Sequence, residues 1–399
     1  MPKGLSSSTR FSRRSFLQVS AAATAAFPFV TEPLLAAVAA VHRPYTTDAV
    51  FIDSNENPLG PSQGARQAIA AIIPQGGRYS DNLTDDLLHI FAQAEGLNPD
   101  YIHVFPGSTP GLHFGVIAFT SPEKSYVTAD PGYEAGMFAA ERAKARIVKV
   151  PLTKTYAHDV NAMIAAAPDA GLFYICTPNN PTGTLTPHAD VEYLLQNKPK
   201  GSVVMVDEAY IHFCDAPSTI DLVKAGKDII LLRTFSKIYG MAGLRCGFAI
   251  ARPDLLKQVS EAAGWNFMPI TAVVGASASL KDPALVSERK RINASVRQET
   301  FGWLDHNGYS YIPSESNCFL LETKRPGKEV IDAMAQQKVF IGRIWPVMPT
   351  WVRVTVGTQE EMTQFQNAFQ KVMRGTTAFL LRPVKNVGNR RRSGAPLPS

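Results

Sequence analysis

The chain has 399 residues, of which 45% are hydrophobic, so it can form two domains with substantial cores and is not predicted to be intrinsically disordered. Its formal net charge is +6, but the basic residues are scattered except for Arg390–Arg392, and no zinc-type spacing or basic and aromatic stripe accompanies them. These features argue against nucleic-acid binding, and residues 383–399 are predicted to be a disordered basic tail.

The first 40 residues have the pattern of an export signal. Ser12-Arg13-Arg14-Ser15-Phe16-Leu17 precedes an alanine-rich apolar stretch that is interrupted by a proline and a glutamate. This segment resembles a twin-arginine signal peptide with a cleavage site near Ala39 or Ala40, and the interruptions leave too short an apolar run for a stable membrane helix. We expect export by the twin-arginine machinery to the periplasm, or a cytoplasmic location if the signal is not used.

From Ala49 onward, segments rich in valine and isoleucine alternate with longer helical patterns. This alternation is typical of a parallel sheet covered by helices. The clearest predicted strands are Gly171–Cys176, Ser202–Val206, Ile229–Leu232 and Cys246–Ala251.

After Pro269 the pattern predicts a long charged helix, short strands near Asn317–Glu322 and Trp351–Val356, and a final helix from Gln359. A change of this kind indicates a second, smaller α+β domain. We therefore predict an N-terminal arm that joins the small domain at 41–72, a large domain at 73–270 and the small domain itself at 271–382.

The four cysteines, Cys176, Cys214, Cys246 and Cys318, lie far apart and form no Cys-x-x-Cys pair. Their apolar neighbours favour small buried side chains over disulfides or a nucleophilic thiol. We therefore expect no metal site built on cysteine.

Lys237 is the strongest candidate for a reactive residue. It shortly follows the apolar strand at 229–232, and ligands of a parallel sheet collect beyond the carboxyl ends of the strands. An amine that condenses with an aldehyde must be desolvated so that its pKa falls, and this setting provides that. Ser236 and Arg245 are suited to bind a phosphate, the first as a neutral donor and the second as a cationic fork. A lysine taken alone would be interpreted as a surface residue.

Three other side chains suit a pyridoxal ring beside that lysine. Asp207 ends the strand at 203–206 and could be only a helix cap, but a buried carboxylate there would keep a pyridine nitrogen protonated. Tyr210 and Asn180 can donate hydrogen bonds to the ring's phenolate oxygen, although Asn180 lies in a proline and glycine turn that needs no ligand to form.

A phosphate-binding helix start is predicted at Pro106–Gly111, where a proline in the first turn precedes an apolar helix. Ser108 and Thr109 would present backbone and hydroxyl donors there. As a lone motif this run is weak, and it gains weight from the other segments.

Together these segments resemble the fold-type-I pyridoxal-phosphate aminotransferases of class I and II, and most closely the histidinol-phosphate aminotransferase branch. The resemblance covers about residues 53–373 and implies an α/β fold with a mainly parallel seven-stranded sheet in the large domain. Its motifs stand in the family order and are Ser54-Asn55-Glu56-Asn57-Pro58-Leu59-Gly60, Asn179-Asn180-Pro181-Thr182-Gly183, Asp207-Glu208-Ala209-Tyr210, Ser236-Lys237 with Arg245, and Arg353-Val354-Thr355-Val356-Gly357-Thr358.

The resemblance implies pyridoxal 5'-phosphate as the cofactor and a role for each matching residue. Lys237 would form the Schiff base and act as general base, Asp207 would pair with the pyridinium nitrogen, Asn180 and Tyr210 would bind the ring oxygen, and Tyr133 would stack on the ring. The phosphate would be bound by Ser108, Thr109, Ser236, Arg245 and, from a neighbouring subunit, Tyr79. The protein would then be a homodimer with shared active sites.

On the substrate side, the resemblance implies that Arg353 grips a carboxylate, or a phosphate when the substrate has no carboxylate. Arg343 resembles the second anion-binding arginine of the branch, with a surface residue as the alternative, and Asn57 is a further substrate-binding candidate. One departure is Thr109-Pro110, where relatives commonly carry an acidic pair. The other is the export signal, because histidine biosynthesis is cytoplasmic and an exported relative is expected to use another substrate.

We predict an aminotransferase that moves an amino group between an amino acid or a phosphorylated amine and a 2-oxo acid. A decarboxylase resembling threonine-phosphate decarboxylase is the alternative enzyme, because it shares the cofactor residues. The alternative outside enzymes is a periplasmic ligand-binding protein that keeps the pocket without turnover.

Overall fold

The structure, a computed structural model, describes residues 48–264 and 267–380. The predicted export signal at 1–40 and the predicted tail at 383–399 lie outside the described residues. The described strands are β1 (Val50–Ile52), β2 (Ile102–Phe105), β3 (Ser125–Asp130), β4 (Ile147–Pro151), β5 (Ala170–Cys176), β6 (Val203–Asp207), β7 (Ile229–Thr234), β8 (Gly247–Ile250), β9 (Cys318–Glu322), β10 (Val339–Ile341) and β11 (Trp351–Thr355).

The described α-helices alternate with most of these strands. They are α1 (Gln63–Ile72), α2 (Asp81–Glu95), α3 (Ser108–Phe119), α4 (Ala135–Arg142), α5 (Val160–Ala166), α6 (His188–Asn197), α7 (Ile220–Lys224), α8 (Pro253–Ala263), α9 (Ile270–Leu280), α10 (Leu285–His306), α11 (Gly327–Gln336) and α12 (Gln359–Leu380).

Seven of the strands form one central sheet in the order β2-β8-β7-β6-β5-β3-β4. All neighbours from β7 to β4 run parallel, and β8 runs antiparallel to both β2 and β7. The predicted mainly parallel seven-stranded sheet is therefore confirmed. Every residue of β5, β6 and β7 is buried, as expected for central strands that helices cover on both faces.

A second hydrophobic cluster lies apart from the core of the large sheet. It combines β1 paired in parallel with β10, the antiparallel pair β9 and β11, and apolar side chains of α10, α11 and α12. This arrangement has the α+β character expected of the C-terminal part. The exact domain boundaries at 72, 270 and 382 stay a prediction.

One helix was not anticipated. The sequence predicted a single charged helix after Pro269, whereas the chain forms α9 first and the charged helix α10 only from Leu285. Helix α9 is apolar and rich in small residues, and it packs closely against α1 and α2. Asp282 and Pro283 separate the two helices, because proline cannot continue a helix from the residue before it.

Three further observations bear on the class of protein. All four cysteines are free, and they are buried, as predicted for small core side chains. Within the described ranges, no helix combines the length and apolarity that a bilayer crossing requires. In the same part of the chain, no group of three or more histidine, cysteine, aspartate or glutamate side chains is arranged to hold a metal ion.

Candidate active site

Lys237 lies just beyond the end of β7, inside a cleft at the carboxyl edge of the sheet. Its Nζ donates a hydrogen bond to the carbonyl of Ser54 at 3.4 Å and lies 5.5 Å from the centre of the Tyr210 ring. Desolvation lowers the pKa of Lys237 to about 8, and the positive charge of Arg353 acts in the same direction. A substantial fraction of the amine is therefore unprotonated, and nucleophilic, slightly above neutral pH.

Asp207 is the last residue of β6, and both of its carboxylate oxygens are bonded. Oδ2 accepts a hydrogen bond from the hydroxyl of Tyr174 at 2.8 Å, and Oδ1 accepts one from the backbone N–H of Ala209 at 3.0 Å. Burial raises the pKa of Asp207 to about 6, while the hydrogen bond from Tyr174 opposes that shift. A buried acid of this kind has strong affinity for a protonated nitrogen, which would satisfy its charge.

The residues predicted to bind a ring oxygen lie on one wall of the cleft. Asn55 donates its side-chain N–H to the hydroxyl of Tyr210 at 3.0 Å, and burial raises the pKa of Tyr210 well above its usual value. Arg353 Nη1 donates to Asn180 Oδ1 at 2.8 Å. The amide nitrogen of Asn180 is on the opposite side of that group and is a donor for a ligand.

An anion cradle forms where α3 begins. Gly107 is the N-cap and no side chain caps the helix, so the first backbone N–H groups face outward. Arg245 donates from Nη2 to the carbonyl of Pro106 at 3.2 Å and from Nη1 to Ser236 Oγ at 3.4 Å. A Cβ at Gly107 would lie 2.1 Å from Arg245 Nη2, so only glycine allows the guanidinium this close to the helix start. Ser108 is the first residue of that helix.

Tyr133 contacts the first turn of α3 through a hydrogen bond with the side chain of Thr109. Burial raises the pKa of the Tyr133 phenol, and a hydrogen bond with the Thr109 side chain partly offsets the shift. Tyr133 follows β3 and packs against the core of the large sheet. A phenol ring held in this way can lie against a flat ligand.

Arg353 and Arg343 are the two arginines that the sequence predicted to bind the substrate. Arg353 is 5% exposed and donates to Asn180 and, through Nη2, to the carbonyl of Asp53 at 2.6 Å. Arg343 forms an ion pair with Glu134. Their guanidinium carbons lie 5.7 Å and 4.7 Å from the centre of the Trp345 ring, respectively, so both cations face one indole.

Two predicted site residues are placed differently from the others. Tyr79 is 86% exposed and its ring contacts Phe267 at 5.2 Å between ring centres, outside the cleft described above. The predicted role of Tyr79 in a neighbouring subunit stays a prediction. Asn57 donates to the carbonyl of Ile238 at 3.0 Å and accepts from Leu59 N–H at 3.1 Å, so its polar atoms hold the loop beside Lys237.

The sequence did not single out four residues that contact the predicted site residues or the segments beside them: Tyr174, His158, Glu134 and Trp345. A tyrosine inside the apolar strand β5 is indistinguishable from an ordinary core residue by pattern. His158 is buried against the backbone of Cys176, and burial lowers its pKa to about 4. Glu134 follows Tyr133 directly and Trp345 is two residues beyond Arg343, but nothing local shows that their two segments approach each other.

The residues described here fit pyridoxal 5'-phosphate. An amine with a lowered pKa suits the aldehyde, the buried Asp207 suits a protonated ring nitrogen, Tyr210 and Asn180 suit the ring oxygen, and the cradle at α3 with Arg245 suits the phosphate. Fold and site together define an enzyme of the pyridoxal-phosphate transferase type.

Comparison with known proteins gives the family. Residues 47–369 match the model of the aminotransferase class I and II family, and the chain belongs to that family. Histidinol-phosphate aminotransferase of Moorella thermoacetica is 33% identical over 333 residues, which are 82% of this chain and 86% of that protein. That of Symbiobacterium thermophilum is 34% identical over 329 residues, which are 82% of this chain and 91% of that protein.

Two solved structures are similar to this chain in fold. Histidinol-phosphate aminotransferase of Sinorhizobium meliloti in complex with pyridoxal-5'-phosphate superposes with a TM-score of 0.75 at 25% identity, over 82% of this chain and 92% of that one. L-threonine-O-3-phosphate decarboxylase of Porphyromonas gingivalis has a TM-score of 0.69 at 19% identity, over 82% and 99% of the two chains, which shows a shared fold alone. The predicted family, fold type and cofactor are confirmed, and the chain is a pyridoxal-phosphate-dependent aminotransferase.

Proposed function

We propose that this aminotransferase binds the anionic group of its amino donor at Arg353 and moves the donor's α-proton with Lys237. The buried Arg353 carries this proposal. Its guanidinium donates hydrogen bonds to two neutral acceptors, the side-chain oxygen of Asn180 and the backbone carbonyl of Asp53. Its Nε has no hydrogen-bond partner among the described residues. A desolvated cation of this kind binds a carboxylate or phosphate strongly.

When bound, pyridoxal phosphate supplies the electron sink that stabilises negative charge at the donor's α-carbon. The chain's own residues do the rest. Arg353 orients the donor, and Asp207 would keep the ring nitrogen of the cofactor protonated. Lys237 takes the proton from the donor's α-carbon and would deliver it to the cofactor's C4' carbon, on the other side of the donor nitrogen. Lys237 can serve as base because desolvation lowers its pKa to about 8.

The donor class follows from the relatives. Those named above act on histidinol phosphate by their names, and we propose an amino acid or a phosphorylated amine as donor with a 2-oxo acid as acceptor. Decarboxylation of a phosphorylated amino acid is the second candidate, supported by the shared fold of the threonine-phosphate enzyme. Retention of the pocket for binding alone is disfavoured, since a lysine with a lowered pKa and a buried acid serve no purpose in a passive receptor.

The test is a screen of amino donors with the purified holoenzyme. Its two readouts are the absorbance change of the cofactor and the identity of the product. An oxo acid without carbon dioxide supports transamination, and release of carbon dioxide supports the decarboxylase. Lys237→Ala should abolish turnover while a non-reacting carboxylate still binds, and Lys227→Ala, in the loop before β7, is the matched control. If Lys237→Ala leaves turnover intact, the proposed role is wrong.

We also propose that the enzyme is a homodimer exported by the twin-arginine machinery to the periplasm. The dimer is supported by Tyr79 and Phe267, large aromatic side chains that are 86% and 53% exposed beside each other. Export is supported by the paired Arg13 and Arg14 followed by an apolar alanine-rich stretch.

A further inference from the structure

The two arginines on the substrate side of the cleft differ in how their charges are compensated. Arg353 is buried and forms no ion pair among the described residues, and its hydrogen bonds go to an amide oxygen and a backbone carbonyl. Arg343 is ion-paired with Glu134, and their side chains are 39% and 24% exposed. Only Arg353 therefore offers an uncompensated positive charge to a substrate.

The ion pair is held in place by the surrounding structure. Trp345 is 2% exposed, and its indole lies beneath the guanidinium groups of both Arg343 and Arg353. Its Nε1 donates to the carbonyl of Gly132 at 3.0 Å, two residues before Glu134. The backbone N–H of Arg353 also donates to the carbonyl of Arg343 at 3.1 Å. These bonds connect the chain segments that carry the two arginines and the glutamate.

We propose that Glu134 determines substrate specificity by neutralising Arg343, so that the enzyme prefers donors with a single negative charge at Arg353. This inference rests on the proposed function and narrows it to α-amino acids whose side chain is not anionic. A phosphate dianion, or a second carboxylate, would have to displace Glu134 from Arg343 or lie close to its negative charge. Both cost binding energy, because the first gives up the attraction of the ion pair and the second places two negative charges side by side.

Glu134→Gln tests the proposal, because it keeps the size and hydrogen-bonding groups of the side chain and removes its charge. Binding of two non-reacting anions to the holoenzyme is measured by calorimetry, with maleate as the dicarboxylate and 4-methylpentanoate as the monocarboxylate. We expect the variant to bind maleate about tenfold or more tightly than the wild type does, since Arg343 becomes available for a charge-assisted hydrogen bond. The affinity for 4-methylpentanoate should change by less than about threefold.

Two controls separate charge from other effects. Glu141→Gln makes the same change of net charge on the exposed part of α4 and should leave both affinities as in the wild type. Glu134→Asp keeps the negative charge and should retain the preference for the monocarboxylate. Thermal unfolding of each variant checks that the fold is intact.

An unchanged affinity for maleate in Glu134→Gln would overturn the proposal, and so would a wild type that binds maleate more tightly than 4-methylpentanoate. The first result would mean that the charge of Glu134 does not control anion binding in the cleft, and the second that Arg343 leaves Glu134 readily and serves as a second anion receptor. These measurements need no turnover. If no donor reacts in the screen, the proposed function fails while the anion affinities still decide the role of Glu134.

Discussion

Replacing Asp207 by asparagine should make the cofactor-free protein more stable while it weakens cofactor binding. The carboxylate is buried and accepts hydrogen bonds from Tyr174 and from the backbone of Ala209. An asparagine can keep both, because its Oδ1 can accept from Ala209 and its N–H groups can donate to the Tyr174 oxygen once that hydroxyl turns. What the substitution removes is the cost of holding a negative charge away from water.

The size of the gain follows from the pKa of Asp207, which burial raises from 3.8 to about 6. Each pKa unit corresponds to about 1.4 kcal/mol, so the ionised group costs the folded state about 3 kcal/mol. Because the folded pKa lies above the unfolded one, the folded chain binds the proton more tightly, and stability is lost as the pH rises from about 4 to 6. The gain from Asp207→Asn should therefore be small near pH 4 and complete above about pH 7.

Urea unfolding of the cofactor-free wild type and variant at pH 4.5 and pH 8 measures this directly. The difference between the two pH values isolates the titration of Asp207 from other effects of the substitution. We expect the variant to be more stable than the wild type by about 3 kcal/mol at pH 8 and by only about 1 kcal/mol at pH 4.5. Equal effects at both pH values, or a loss of stability at pH 8, would refute the argument that a buried unpaired charge is held at this position.

Two other predictions concern the lysine and the export signal. The rate at which Lys237 captures pyridoxal phosphate should rise roughly fiftyfold from pH 6 to pH 8 and level off above that, because the pKa near 8 sets the fraction of free amine. Stopped-flow absorbance measures this rate. A rate that still rises at pH 10 would contradict the lowered pKa. Changing both Arg13 and Arg14 to lysine should leave the enzyme in the cytoplasmic fraction, whereas the control Arg10→Lys should still be exported. Unaltered localisation of the double variant would count against twin-arginine export.

Much of the scaffold could be predicted from sequence because its central strands are buried on both faces. The apolar run predicted at Gly171–Cys176 corresponds to β5, Ala170–Cys176, and the run at Ile229–Leu232 corresponds to β7, Ile229–Thr234. Strand ends were less certain, because Thr234 is polar yet buried at the edge of the cleft. Helix α9 was missed because an apolar, small-residue segment next to a charged one does not show where one helix ends.

Candidate site residues could be singled out from sequence when their type was unusual for their position. Lys237 and Asp207 follow apolar strands, where a charged side chain has no packing role, and the structure brings both into one cleft together with Tyr210 and Asn180. Tyr79 shows the limit of that reasoning, since its predicted role concerns a neighbouring subunit.

The sequence by itself determined the residue types that pyridoxal chemistry needs and the order in which they occur. Each motif is a short stretch of chain, so it can be recognised without knowing how the chain folds. Only the tertiary structure decided which of those charges are compensated. Tyr174 meets Asp207 across 33 positions, and Glu134 meets Arg343 across 209. Such pairs depend on how separate strands and loops pack around one cleft, and the preference proposed for the substrate's charge depends on the second of them.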